Sequence, residues 1–173
     1  VYSFTPRFVG SIPMFAGEGQ FTIGADYELT KYYLESSIGR TAIDQKISAY
    51  YAQAVVPVHR LWTLTAGMRR SMVKNYIKDD FTFPAGKNLD DSVTVGTLGA
   101  VFQPDPSWRL FARADENFRF AKVDEHTNAG GSTTGLKNQT GISYEVGAEW
   151  SGKKGRLKAM AYRLDLENEI GFG

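Results

Sequence analysis

Groups able to do covalent chemistry are sparse in this chain. Its 173 residues include two histidines, His59 and His126, and no cysteine. Thiolate nucleophiles, thiolate metal sites and disulfides are therefore excluded. The run Asp124-Glu125-His126 unites two carboxylates and an imidazole, groups that suit a divalent metal, yet it is equally an ordinary polar loop start. A hydrolytic site would need a nucleophile or a water converging with that histidine, and the neighbouring sequence supplies none. His59 falls in a turn-like segment, 58–60, where a solvated residue is expected. The glycine-rich stretch 128–135 lacks the Gly-Lys-Ser/Thr that completes a phosphate-binding loop. No catalytic residue, metal site or cofactor is expected.

The remaining charged groups have a regular setting, which turns attention to the elements that carry them. Successive side chains of a strand point to opposite faces, and this chain alternates over long runs. Between Trp108 and Phe120, one face holds Trp108, Leu110, Ala112, Ala114 and Phe118; the other holds Arg109, Arg113, Asp115, Asn117 and Arg119. Ile142, Tyr144, Val146, Ala148 and Trp150 oppose Ser143, Glu145, Gly147 and Glu149. Phe21, Ile23, Ala25, Tyr27 and Leu29 oppose Thr22, Gly24, Asp26, Glu28 and Thr30, and Trp62, Leu64, Ala66 and Met68 oppose Thr63, Thr65, Gly67 and Arg69. The last strand, from Arg156, sets Tyr162, Leu164 and Leu166 against Arg163, Asp165 and Glu167. Segments 46–56 and 92–103 are apolar on both faces, and their orientation stays open. Pro6 interrupts the first strand and implies a bulge or a sheet edge, because proline lacks a ladder donor.

Turns give the order of these strands. Short connections fall at 13–19, 58–60, 104–107 and 152–155, and longer polar ones at 36–45, 78–91 and 121–141. Short and long alternate without exception, which predicts an all-β, antiparallel up-and-down meander with tight turns at one end. Outer-membrane β-barrels have this asymmetry, with short periplasmic turns and long outer loops. The three tryptophans agree: Trp62 and Trp108 follow short turns and Trp150 precedes one, so all lie at one level. Such a girdle suits indole, whose ring is apolar and whose N–H wants a polar partner. A soluble β-sandwich or lipocalin-like binder also alternates, with its apolar face as core. A small self-contained outer-membrane barrel with a structural or adhesive role is a third reading. About eight strands are expected, enough to close a barrel. Both chain ends then fall on the long-loop side, where a complete barrel threaded from the periplasm would not leave them, so residues 1–173 are expected to be part of a larger transmembrane barrel.

Charge is nearly balanced, 20 Lys+Arg against 19 Asp+Glu, which argues against a nucleic-acid surface. No run of 18 or more apolar residues provides a transmembrane helix; alternating strands hide their hydrophobicity from such a window.

Specific stretches go further. Tyr51-Ala52-Gln53, Leu64-Thr65-Ala66-Gly67-Met68-Arg69, Phe118-Arg119-Phe120-Ala121 with Glu125, Gly135-Leu136-Lys137-Asn138-Gln139-Thr140, Tyr144-Glu145-Val146-Gly147 and the segment 161–170 follow one another along the chain. From Ser48 onward the chain resembles the TonB-dependent outer-membrane receptors, plugged 22-stranded transporters. Ala121 and Asn138 stand where that family often has proline, and Gln139 where it often has glutamate. The resemblance implies active uptake of an iron-siderophore, similar metal chelate or other nutrient across the bacterial outer membrane, without covalent chemistry. It also implies a plug domain of the same receptor and, through that plug, the TonB complex as partners. The residues placed in contact with ligand or lumen are Arg69, Arg113, Asp115, Arg119, Glu145, Glu149 and Arg163 on the strands, with Asp124, Glu125 and His126 in the longest loop.

Overall fold

The computed structural model describes residues 1–14, 16–36, 39–121 and 137–169. They form one nine-stranded antiparallel sheet: β1 (Tyr2–Phe4), β2 (Arg7–Met14), β3 (Gly17–Ser36), β4 (Gly39–His59), β5 (Trp62–Asp79), β6 (Lys87–Asp105), β7 (Trp108–Arg119), β8 (Gln139–Gly152) and β9 (Gly155–Glu167). From β3 onward each strand pairs with its sequence neighbours, the expected meander. Two packed sheets are not present among the described residues, which overturns the sandwich alternative. Nor does β9 pair with β1 or β2; the sheet is open at both edges, so the self-contained closed barrel is not formed by these residues.

β1 and β2 are one strand broken at a single place. Tyr2 faces Leu29 and Arg7 faces Gly24, the same register on β3. The interruption is Thr5–Pro6, where the missing proline N–H removes a rung, although the Pro6 carbonyl still accepts from Ala25 N–H at 3.0 Å. The position at the sheet edge is what makes the proline tolerable.

Two connections are shorter than expected. β3 and β4 stay paired as far as Ser36 opposite Gly39, so the long connection expected at 36–45 is mostly strand. Likewise β5 and β6 remain paired to Ile77 opposite Lys87, leaving 80–86 as the loop. Their polar, weakly alternating residues read as loop because polar groups occupy the face that is apolar lower down.

Side-chain cover distinguishes the two faces. Along β5 the odd-numbered residues are more covered than the even at nearly every step, and Ser71, Val73, Asn75 and Ile77 are buried. The face carrying Arg69, Asp115 and Glu145 is thus the inside of a curved sheet, where neighbouring side chains crowd together. The outer face leaves Tyr50, Met68, Leu98 and Val146 well exposed. A sheet that exposes its apolar face and covers its polar one has the opposite polarity to a soluble half-buried sheet.

That polarity reverses along the strands. Above Leu29 on β3, Tyr50 on β4 and Met68 on β5, the outer face carries Lys31, Lys46, Asp44, Arg70, Lys74 and Lys78. There the inner face acquires a small apolar core of Ile43, Ile77, Phe83 and Leu89 beside the buried polar Ser71 and Asn75. β9 makes the same switch. Tyr162 faces Glu145 and Leu164 faces Ser143, whereas Arg163 faces Tyr144 and Asp165 faces Ile142. Tyr162, Leu164 and Leu166 therefore share the inner face and Arg163, Asp165 and Glu167 the outer one. This is the reverse of the expectation from their alternation. The phase of β9 slips between Ala159/Ala161, which point outward, and Tyr162; the ladder itself runs on without a bulge.

Candidate functional site

The inner face is organised around aromatic rings laid over cross-strand glycines. Gly24 and Tyr51 are directly opposed, and a Cβ on Gly24 would run into the Tyr51 ring. Gly147 and Phe111 form a second such pair. Absence of a side chain lets each ring lie flat on the wall. Cations then stack on the exposed ring faces: Arg69 lies 5.6 Å from the Tyr51 centroid, and Arg109 and Lys158 each lie 5.3 Å from that of Phe111. Such contacts are attractive because the ring face is electron-rich.

Each stacked cation also has a carboxylate. Arg69 Nη1 reaches Asp26 Oδ2 at 2.7 Å and its Nε donates to Ser71 at 3.1 Å. Glu149 accepts from Arg109 Nη1 and from Lys158 Nζ, both at 3.2 Å. Arg69 and Glu149, singled out in the sequence, are thus members of two separate networks. Asp26, Tyr51, Arg109, Phe111 and Lys158 also belong to those networks and were not singled out as site residues; the usable sequence signal was a glycine whose ladder partner is aromatic.

Between these networks lies a polar hollow of 440 Å³ bordered by Arg69, Thr97, Arg113, Asp115, Asn117 and Glu145. Arg113 Nε lies 2.5 Å from Asp115 Oδ2, and Thr97 Oγ1 donates to the other Asp115 oxygen. These bonds sit where the β6–β7 ladder stops, at Thr97 opposite Asp115. One residue further up, Gly96 N–H donates to Glu116 at 2.6 Å. At the fork the Glu116 carboxylate replaces a carbonyl as acceptor for the Gly96 N–H, which meets the obligation of a backbone N–H to find a partner. Asp115 is consequently committed to holding the fork. Glu145 faces Arg113 across the ladder but forms no ion pair among the described residues, so its charge is available to the hollow.

Arg119 lies at the upper end of β7 and donates through Nε to Gln139, its ladder partner, at 3.4 Å. Glu145, on the neighbouring strand, lies further down β8 opposite Arg113. Arg163 is not in the inner constellation: on the outer face it forms an ion pair with Asp165 at 2.8 Å. Asp124, Glu125 and His126 lie outside the described residues. His59 closes β4 and accepts a turn hydrogen bond from Leu61 N–H at 3.2 Å. Among the described residues no group of three His, Asp or Glu side chains is placed to hold a metal.

Trp62, Trp108 and Trp150 sit at one end of the outer face. Trp108 and Trp150 are ladder partners, and Trp62 faces Phe102 with ring centroids 4.7 Å apart. The short-turn end therefore carries two cross-strand aromatic pairs, Trp62–Phe102 and Trp108–Trp150.

Known structures share this architecture. The chain superposes on the unliganded ferric citrate transporter FecA with a TM-score of 0.79 and 15% identity, covering 98% of this chain and 28% of that one. For the alcaligin outer membrane receptor FauA from Bordetella pertussis the values are 0.76, 13%, 95% and 28%. For the siderophore receptor PiuA from Acinetobacter baumannii they are 0.71, 13%, 92% and 31%. The chain thus spans about 28% of the length of the first two structures it matches. No curated protein sequence matches it. The family model described as "TonB dependent receptor-like, beta-barrel" matches residues 2–173. Matched along virtually its whole length, the chain belongs to the TonB-dependent receptor β-barrel family.

Proposed function

We propose that residues 1–173 form part of the barrel wall of an outer-membrane receptor that imports an iron chelate or a chemically similar nutrient. The observation that carries this reading is the inverted amphipathicity below Arg70, with exposed Leu64, Met68, Leu98 and Val146 outside and Asp26, Arg69, Arg113 and Glu145 inside. Such a sheet is stable where hydrocarbon lies outside and polar groups or water lie inside. Trp62, Trp108 and Trp150 mark the periplasmic interface in this reading, and the loop 80–86 faces the exterior. The wall has no covalent chemistry to perform. It holds a plug domain of the same receptor, through which the TonB complex supplies energy.

Ferric citrate, alcaligin and other siderophores are named for the structurally similar proteins, which motivates the ligand class. Arg119 ends the β7 ladder on the long-loop side, where a guanidinium suits carboxylate or hydroxamate oxygens. Glu145 and the polar hollow lie deeper, toward the plug.

Growth under iron limitation tests the reading. A strain lacking the full-length receptor is supplied with ferric citrate, a ferric hydroxamate or a ferric catecholate as sole iron source. Failure on one chelate, restored by the wild-type gene, is the expected result. Unchanged growth and unchanged radiolabelled-iron uptake on all three would refute an iron-chelate receptor.

A further inference from the structure

We propose that the seam between β6 and β7 is adjustable and that the Glu116 side chain is the wedge setting its height, a property of these two strands whichever nutrient is imported. The β6–β7 ladder stops at Thr97 opposite Asp115, yet neither strand ends there. β6 runs on beside β5 to Lys87 opposite Ile77, and β7 runs on beside β8 to Arg119 opposite Gln139. Carried upward, the ladder register sets Gly96 against Glu116, Val95 against Asn117 and Thr94 against Phe118. Two extended edges of matching register thus stand side by side without pairing.

The first missing rung shows why. Gly96 N–H donates to Glu116 Oε2 at 2.6 Å, so the side chain of Glu116 takes the donor that its own carbonyl would accept in an antiparallel ladder. A carboxylate is the stronger acceptor, and its insertion holds the two backbones a side chain apart. Gly96 leaves room for it, since a Cβ there would lie 3.4 Å from Oε2. Higher on the same edge, Asp91 Oδ1 accepts from Ser92 N–H at 2.6 Å and occupies a second donor. Below the wedge, Asp115 binds Arg113 and Thr97 and closes the seam. Glu116 is exposed, so its carboxylate can swing back into water. With the wedge in place, the β5–β6 and β7–β8 hairpins are separate panels above Thr97; with it withdrawn, their facing edges can zip rung by rung.

Disulfide formation in the full-length receptor, in native outer membranes, tests the wedge. Val95→Cys with Asn117→Cys places one thiol on each side of the seam above Glu116. Met72→Cys with Ser92→Cys spans the formed β5–β6 ladder as a reference. With Glu116 present, the seam pair should oxidise slowly and the reference pair readily. Glu116→Ala should speed the seam disulfide by about tenfold, as loss of one charge-assisted hydrogen bond implies, and leave the reference unchanged. Glu116→Gln, which keeps a weaker acceptor, should speed it less, and serves alone if Glu116→Ala does not assemble. A seam pair that oxidises as readily as the reference with Glu116 present would overturn the wedge. So would an unchanged seam rate in the Glu116 variants while the reference pair still forms. Amide exchange at Gly96 separates a wedge from a simple cap. Retained protection in Glu116→Ala is expected of a zipped seam, whereas faster exchange without faster cross-linking would mean that the carboxylate only caps a frayed end, overturning the proposal.

Discussion

The lower and upper halves of β5 carry opposite patterns on the same two faces. From Trp62 to Met68 the outer residues are apolar and the inner ones are Thr63, Thr65, Gly67 and Arg69. From Arg70 to Lys78 the outer face is dominated by cations, while Val73 and Ile77 are buried inside. One strand thus runs through two solvents. On the proposed membrane reading, the hydrophobic effect acts outward below the switch, toward lipid; above it, the same strand packs Ile77 inward with Ile43, Phe83 and Leu89. The change of phase along a continuous strand locates the edge of the apolar band more sharply than any single residue does.

Substituting arginine separates the halves most strongly. Leu64→Arg, outward in the lower half, should destabilise the barrel by about 2–4 kcal/mol if near the bilayer midplane. Tyr76→Arg, outward in the upper half, should cost under about 0.5 kcal/mol, as exposed surface changes do. Urea titration of the full-length receptor in liposomes measures both; equal costs would remove the distinction.

Truncation of the inner face should reverse the ranking. Ile77→Ala, in the buried upper cluster, is expected to cost about 2 kcal/mol through lost burial and a residual cavity. Thr65→Ala, inward in the lower half, should fall below about 1 kcal/mol. The same titration applies, and a larger loss at Thr65 would contradict a polar, loosely filled lower interior.

A third contrast concerns how each half secures its irregular backbone. In the upper half, Asp79 accepts from the N–H groups of Phe81, Thr82 and Phe83 at 2.8, 2.5 and 3.1 Å. Asp80 Oδ2 accepts from Arg40 N–H at 3.0 Å, and Arg40 carbonyl accepts from Asp80 N–H at 3.2 Å. The loop 80–86 is therefore latched to the neighbouring hairpin. Asp79→Ala should weaken it by about 1–2 kcal/mol, the cost of stranded donors, seen as faster amide exchange confined to 80–86. Exchange unchanged there would show that the apolar cluster alone holds the loop.

The smallest effect is expected for Arg69→Met, which removes the pair with Asp26 but keeps the stem packed on Tyr51. Both side chains are partly open to solvent, so screening limits the loss to about 1 kcal/mol or less. A loss above about 3 kcal/mol would mark that pair as a closed, desolvated bridge.

Much of the fold was legible because alternation and turns are local. Phe21–Leu29, Trp108–Ala114 and Ile142–Trp150 each assign a face within one strand, and the tight turns fix strand order. The extensions at Gly39–Gln45 and Lys87–Asp91 were not legible, since a strand that leaves the apolar band inverts its pattern and resembles a loop. Arg163 was misplaced because Tyr162, Leu164 and Leu166 alternate as a lipid face would, yet the register of Tyr162 on Glu145 and Leu164 on Ser143 turns them inward. The site was less legible still. Glu149 and Arg69 could be placed on the polar face, but their partners Lys158 and Asp26 depend on register between strands. Asp115 reads as a lumen charge, whereas its bonds to Thr97 and Arg113 hold the fork where the β6–β7 ladder ends.

A cysteine scan along β5 tests the two-solvent account most directly, since the described chain has no native cysteine. Single cysteines at the even positions from Leu64 to Lys78 of the full-length receptor, in native outer membranes, are labelled with an environment-sensitive fluorophore. Positions 64, 66 and 68 should be quenched by a lipid-phase quencher and shielded from aqueous iodide. Positions 74, 76 and 78 should show the reverse, with the crossover near Arg70. Uniform aqueous quenching along the strand, or a crossover in the opposite direction, would contradict the account.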